Sequence, residues 1–180
     1  MPKLDKVAVE LTLPFLGKIG GSWAPDDAER QAAWEMYVEL VTRVAVEPLA
    51  PEEGLLREAL TSYHSLFGTT RTILRQHGPR IAQPHRGGDL SFGYLALAVL
   101  NGALRPVLTR WHPELLAHET RRPASESPVA WERSWPHATE LRQQLDATHR
   151  ALLDYADLLA DVADIPSLHT HSHPAANKPS

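Results

Sequence analysis

Five Arg–His pairs in this 180-residue chain have four to six residues between them: Arg57 with His64, Arg71 with His77, Arg80 with His85, Arg105 with His112, and Arg142 with His149. A histidine can give or take a proton near neutral pH, and an arginine can hold a phosphate oxygen, so such a pair suits phosphoryl chemistry. With 14 Arg and 10 His in the chain, about two such pairs arise by chance, and spacing alone selects none of them. Asn101, Gly102 and Pro106 interrupt an apolar run. A proline there frees the carbonyl four residues earlier, and the interruption could host a ligand between helices. The alternative is structural: Asn101 fixes register and Gly102 permits close packing. Trp111, Trp131 and Trp135 stand near predicted helix ends, where they form either an aromatic lid or an interaction surface. His169, His171 and His173 alternate near the C-terminus and offer an adventitious metal site at most. Asp154, Asp157 and Asp161 share a helix face, which reads as a solvated acidic surface. A Gly-rich phosphate loop, H-E-x-x-H and G-x-S-x-G are all missing from the sequence.

The elements that must carry these residues are legible from periodicity. Val7, Val9, Leu11 and Leu13 alternate with polar or small residues, a strand signal, and Lys18-Ile19 can begin a return strand after Pro14 and Gly17. A lone hairpin is marginal in water, so this arm must pack on helices or pair with another chain. A first helix is expected from about Pro25 to Glu47, with Asp26 and Glu29 at capping-box spacing and an apolar stripe of Trp34, Tyr37, Val41 and Val44. A second starts near Pro51, with Glu52 and Glu53 behind it, and carries the seam Leu56, Leu60, Tyr63, Phe67, Thr70, Leu74 and His77. Asp89 can cap a third helix, apolar on nearly all faces, that Pro106 and Pro113 should kink or break. Ser127-Pro128 opens a short piece, and a long last helix carries Leu141, Leu145, Thr148, Leu152, Tyr155, Leu159 and Val162 before Pro166.

Composition narrows the classes. There is no cysteine, which removes disulfides and thiolate chemistry. A formal charge of −4 gives nothing global to attract nucleic acid or an anionic membrane. The most apolar run, Leu90 to Leu104, is shorter than the ~20 residues that span a bilayer. No apolar leader follows Met1, so a cytoplasmic location is expected.

A helical bundle carrying Arg71 and His77 at this spacing resembles the HEPN-type ribonucleases. That resemblance implies that His77 acts on an RNA 2′-hydroxyl while Arg71 holds the phosphate. Thr72 follows Arg71, where many members of that family carry Asn or Asp. The segments Ser65–Arg71, Asp89–Pro113 and Tyr155–Leu159 look like a group of small bacterial helical proteins. These are often encoded beside larger signalling or conflict-system proteins, which implies an accessory role and no particular active site.

Together these readings predict an all-α protein: an antiparallel up-down bundle of about four helices with a kinked third helix and a short N-terminal extended arm. Residues 1–24 form the arm, 25–165 the bundle and 166–180 a disordered tail. The expected function is a non-enzymatic interaction module, with no cofactor, that binds itself or a larger protein through Val7, Val9, Leu11 and the three tryptophans. The alternatives are RNA cleavage by Arg71 and His77, the only reading with a nucleic-acid partner, and small-molecule sensing near Asn101.

Overall fold

The computed structural model describes residues 6–43, 54–85 and 87–168. Val44, Glu47, Pro51, Glu52, Glu53 and the histidines 169, 171 and 173 lie outside the described residues. Among the described residues, five helices and one small antiparallel sheet make up the fold.

The alternating segment is a strand, β1 (Val7–Leu13), that turns through Pro14–Leu16 into β2 (Gly17–Trp23), in register from Val7 opposite Trp23 to Leu13 opposite Gly17. β2 thus runs through Gly20-Gly21, beyond the short return strand expected. Val7, Val9, Leu11 and Leu13 are all buried, and β1 packs on the last helix. Val7, Val9 and Leu11 are therefore core residues of this chain and not a free surface. The apolar face marked by the period-two pattern is consumed internally.

α1 (Asp27–Arg43) starts on a reciprocal capping box: the Glu29 N–H donates to Asp26 Oδ1 at 2.9 Å, and the Asp26 N–H to Glu29 Oε2 at 3.3 Å. It buries Ala32, Ala33, Met36, Tyr37 and Leu40 against the helices Leu56–His77 and Ala138–Ala163. Trp34, expected on that stripe, is instead exposed and stacks on Tyr37. In α2 (Leu56–His77), Leu56, Leu60, Tyr63 and Thr70 are buried as expected, but Leu66 and Ile73 replace Phe67 and Leu74 on the deepest line.

α3 (Phe92–Glu119) is one continuous 28-residue helix. Its N-cap is Ser91, whose hydroxyl accepts the Tyr94 N–H, whereas Asp89 is spent on the Ser22 hydroxyl. Neither proline breaks it. Pro106 has no N–H to offer the Gly102 carbonyl, and the helix passes this point through a π turn, Leu100–Leu104. The Phe15 N–H at the hairpin tip fills the gap, donating to that carbonyl at 2.9 Å. By length and composition α3 could cross a membrane, with mean hydropathy 1.3 over its most apolar window, but 61% of that window is buried against the rest of this chain. A short α4 (Pro128–Arg133), capped by Ser127, leads to α5 (Ala138–Ala163). All seven residues of the expected α5 seam are buried.

Two buried carboxylates join these elements. Glu29, fully buried, accepts the Phe92 N–H at 2.9 Å and so caps α3 from α1. Glu132 accepts the Leu56 N–H at 2.8 Å and caps α2, whose own N-cap residue Leu55 has no side-chain bond to give. Each supplies an acceptor and a negative charge where a helix N-terminus needs both.

Gly102 has no room for a side chain. An added Cβ would lie 2.7 Å from Leu16 Cβ and 3.1 Å from Leu13 Cδ1. We expect Gly102→Ala to destabilise the chain by about 1–3 kcal/mol through overpacking against the hairpin tip. Urea unfolding of the two proteins measures this.

Candidate functional site

The three residues suggested as a ligand pocket are brought together, but the space over them is occupied. Leu13 and Leu16 pack on Gly102, Pro106 explains the free carbonyl that the Phe15 N–H takes, and Asn101 is exposed, accepting from Arg105 Nε at 2.8 Å. Close packing against the hairpin tip accounts for Gly102 and Pro106, while Asn101, exposed and bonded within its own helix, does not set register between helices.

Arg71 and His77 do not converge. Six residues at 3.6 per turn set them about 120° apart around α2. Arg71 is exposed, whereas the His77 side chain is only 11% exposed and donates from Nε2 to Glu35 Oε1 on α1 at 3.1 Å. Beside this pair runs a groove of about 430 Å³ between α1 and α2, lined by Trp34, Glu35, Val38, Glu39, Thr69 and Thr72 among others. Among the described residues its ionisable lining is the carboxylates of Glu35 and Glu39, which repel a phosphate.

A denser Arg–His constellation lies on the opposite side of α2, where α2 and α3 run antiparallel. Arg57 donates to both oxygens of Glu119, from Nε at 3.0 Å and from Nη2 at 2.8 Å. Its Nη1 donates to His112 Nδ1 at 3.1 Å. A guanidinium only donates, so Nδ1 offers a lone pair and His112 is a neutral ring with its proton on Nε2. That proton is buried and turned toward the Leu60 carbonyl without a well-formed bond. Burial, then the Arg57 charge, hold His112 below the usual imidazole range. The exposed His64 ring lies 5.9 Å from the His112 ring and 6.3 Å from Phe67, over which the Arg105 guanidinium sits at 5.1 Å. Two of the five sequence pairs, Arg57–His64 and Arg105–His112, thus face each other in reverse order across two helices.

The tryptophans do form one cluster at the end of the bundle. Trp111 and Trp135 meet edge to face at 5.6 Å, and both are buried. The Trp111 indole donates to Gln144 Oε1 at 2.8 Å. Trp131, half-buried, stacks on His118 at 4.7 Å. Its indole donates to the His118 carbonyl, and His118 Nε2 donates to the Trp131 carbonyl at 2.7 Å. Two of the three rings are therefore a lid over the core. The sequence signalled this cluster by proximity to helix ends. It gave no sign of Glu119, Glu132 or the meeting of His64 with His112, which depend on which faces of α2 and α3 touch.

Compared with known protein families, curated proteins and solved structures, the chain matches none.

Because folding holds His112 neutral, the unfolded chain binds more protons than the native one as pH falls through the ordinary imidazole pKa near 6.5. Its contribution to stability is present above that range and lost below it. We expect His112→Gln to remove part of the stability loss between about pH 7 and 5, read from urea midpoints across that window.

Proposed function

We propose that this chain is a non-enzymatic helical interaction module that associates with itself or docks onto a larger bacterial protein, on the framework of an antiparallel up-down bundle. What carries this is a set of exposed apolar side chains on the hairpin tip and on α3, the helix to which the tip is bonded. Phe15, Leu16, Tyr94 and Leu97 are large apolar side chains, each about half exposed. Tyr94, Leu97 and Asn101 lie at i, i+3, i+7 on α3, a single stripe. It ends beside Gly102, where the hairpin tip is bonded. Large apolar side chains grouped on an otherwise polar surface are what protein contacts bury. The outer edge of β1 supports the same reading, since no described strand pairs with it. The expected partner is a second copy or another protein, with no cofactor needed, and a cytoplasmic location fits that role.

The double variant Phe15→Ser, Leu97→Glu should keep its helicity, because both side chains are half out of the core, yet self-associate more than about tenfold more weakly in sedimentation velocity. A wild-type chain that stays monomeric, and binds any captured partner as well as the variant does, would rule this surface out.

A second reading rests on the α2–α3 constellation. Arg57 and Arg105 could hold a phosphate while exposed His64 transfers a proton to or from an RNA 2′-hydroxyl, a HEPN-like chemistry moved from Arg71 and His77. It requires Glu119 to release Arg57. On this reading the purified chain cleaves single-stranded RNA without metal, and His64→Ala abolishes cleavage. RNA left intact by the wild-type chain excludes it.

A further inference from the structure

Where β2 ends and α1 begins, two carboxylates and a histidine converge around a point that none of them fills. Asp26 caps α1 from just before its first residue, Glu29 comes from the first turn of α1, and His85 from the loop that follows the 3₁₀ turn Pro79–Ala82. Their ligand atoms all lie within 4.8 Å of one another. His85 Nε2 stands 3.5 Å from Asp26 Oδ2 and 3.4 Å from Glu29 Oε2. It is buried and makes no hydrogen bond to either. Two donors bound to zinc at about 2.0–2.1 Å in tetrahedral array are themselves about 3.4 Å apart, so the observed spacings are those of a coordination edge.

The carboxylates are already held for this task. The backbone anchors both: the Glu29 N–H holds Asp26 Oδ1 and the Phe92 N–H holds Glu29 Oε1, while Glu29 Oε2 takes only the longer 3.3 Å bond from the Asp26 N–H. The second oxygen of each, Oδ2 and Oε2, is the one that faces His85. Such outer hydrogen bonds fix the orientation of metal ligands. Asp26 and His85 remain partly exposed, which leaves an entry path and a position for water. The present cation at Asp26 Oδ2 is Arg80, at 2.7 Å on a side chain 72% exposed, free to swing aside.

We propose that Asp26, Glu29 and His85 bind a divalent transition metal, with Zn²⁺ as the best match to one imidazole and two carboxylate oxygens. The ion pins the loop that precedes α3 to the start of α1, and Arg80 competes with it for Asp26. The competing account is an ion pair between protonated His85 and the two carboxylates.

The test is titration of the full chain with Zn²⁺ alone, followed by calorimetry against a competing chelator. It uses a background of His169→Ala, His171→Ala and His173→Ala, so that alternating histidines near the C-terminus do not contribute. We expect one Zn²⁺ per chain, binding that His85→Ala and Asp26→Asn each weaken by more than about 100-fold, and equal or tighter binding in Arg80→Ala. Zn²⁺ should also raise the unfolding temperature of the background protein and leave that of His85→Ala unchanged. His85 Nε2 makes no hydrogen bond, so the alanine variant should fold, as circular dichroism would show. No Zn²⁺ bound by the triple-alanine background protein, or binding unaltered by His85→Ala, would leave the ion pair as the correct account.

Discussion

The structure depends first on a carboxylate that water does not reach. Glu29 is fully buried, and burial is the leading cause that raises its pKa above the ordinary carboxylate range. What offsets the cost of burying it is a set of donors from three elements. The Phe92 N–H opens α3, the Asp26 N–H opens α1, and the Trp23 indole at the end of β2, though it lacks a well-formed hydrogen bond, supports the same charge. Remove the carboxylate and the start of α3 loses its tertiary cap, at a cost of about 1–3 kcal/mol for an unmet buried donor. Glu132 repeats the device at the start of α2. Both helices therefore begin where a distant glutamate tells them to, and the loops that precede them are held from outside.

The second constraint couples the hairpin to the bundle. A proline that would ordinarily disrupt a helix leaves one carbonyl unbonded, a glycine gives access to it, and the hairpin tip supplies the missing N–H. One face of β1 then fills the core against α5, which is why the arm's apolar side chains are unavailable to a partner. The side chains at the tip itself, Phe15 and Leu16, remain half exposed, as do Tyr94 and Leu97 on the helix to which the tip is bonded.

Long-period patterns were legible in the sequence and short-range choices were not. The α5 seam is buried at every position because six apolar or aromatic residues and Thr148 in 4-3 steps leave the helix no other face to turn inward. In α2 the same rule placed Leu56, Leu60, Tyr63 and Thr70, but Leu66 and Leu74 have neighbours of equal hydrophobicity, and tertiary contact chose Leu66 and Ile73 over Phe67 and Leu74. Trp34 went outward because alanines 32 and 33 let α1 approach its neighbours more closely than a tryptophan would. Ser91 displaced Asp89 as the cap of α3 because Asp89 had a partner sixty-seven residues away in Ser22. The capping box at Asp26 and Glu29 was visible, whereas its meeting with His85 was not, since that depends on the path of a loop. Arg71 and His77 had the spacing of a catalytic pair, yet one is exposed and the other is held by Glu35. The pairs that do face each other had the same spacing and no mark to distinguish them.

The central claim is that the surface formed by the hairpin tip and α3 is where this chain meets a protein partner. Hydroxyl-radical footprinting of side chains, compared between the dilute and the associated protein, tests it most directly. The account predicts that oxidation of Phe15, Leu16, Tyr94 and Leu97 falls on association while that of Trp34, exposed elsewhere on α1, does not change. Unchanged oxidation of those four residues in a chain that has demonstrably associated would contradict it.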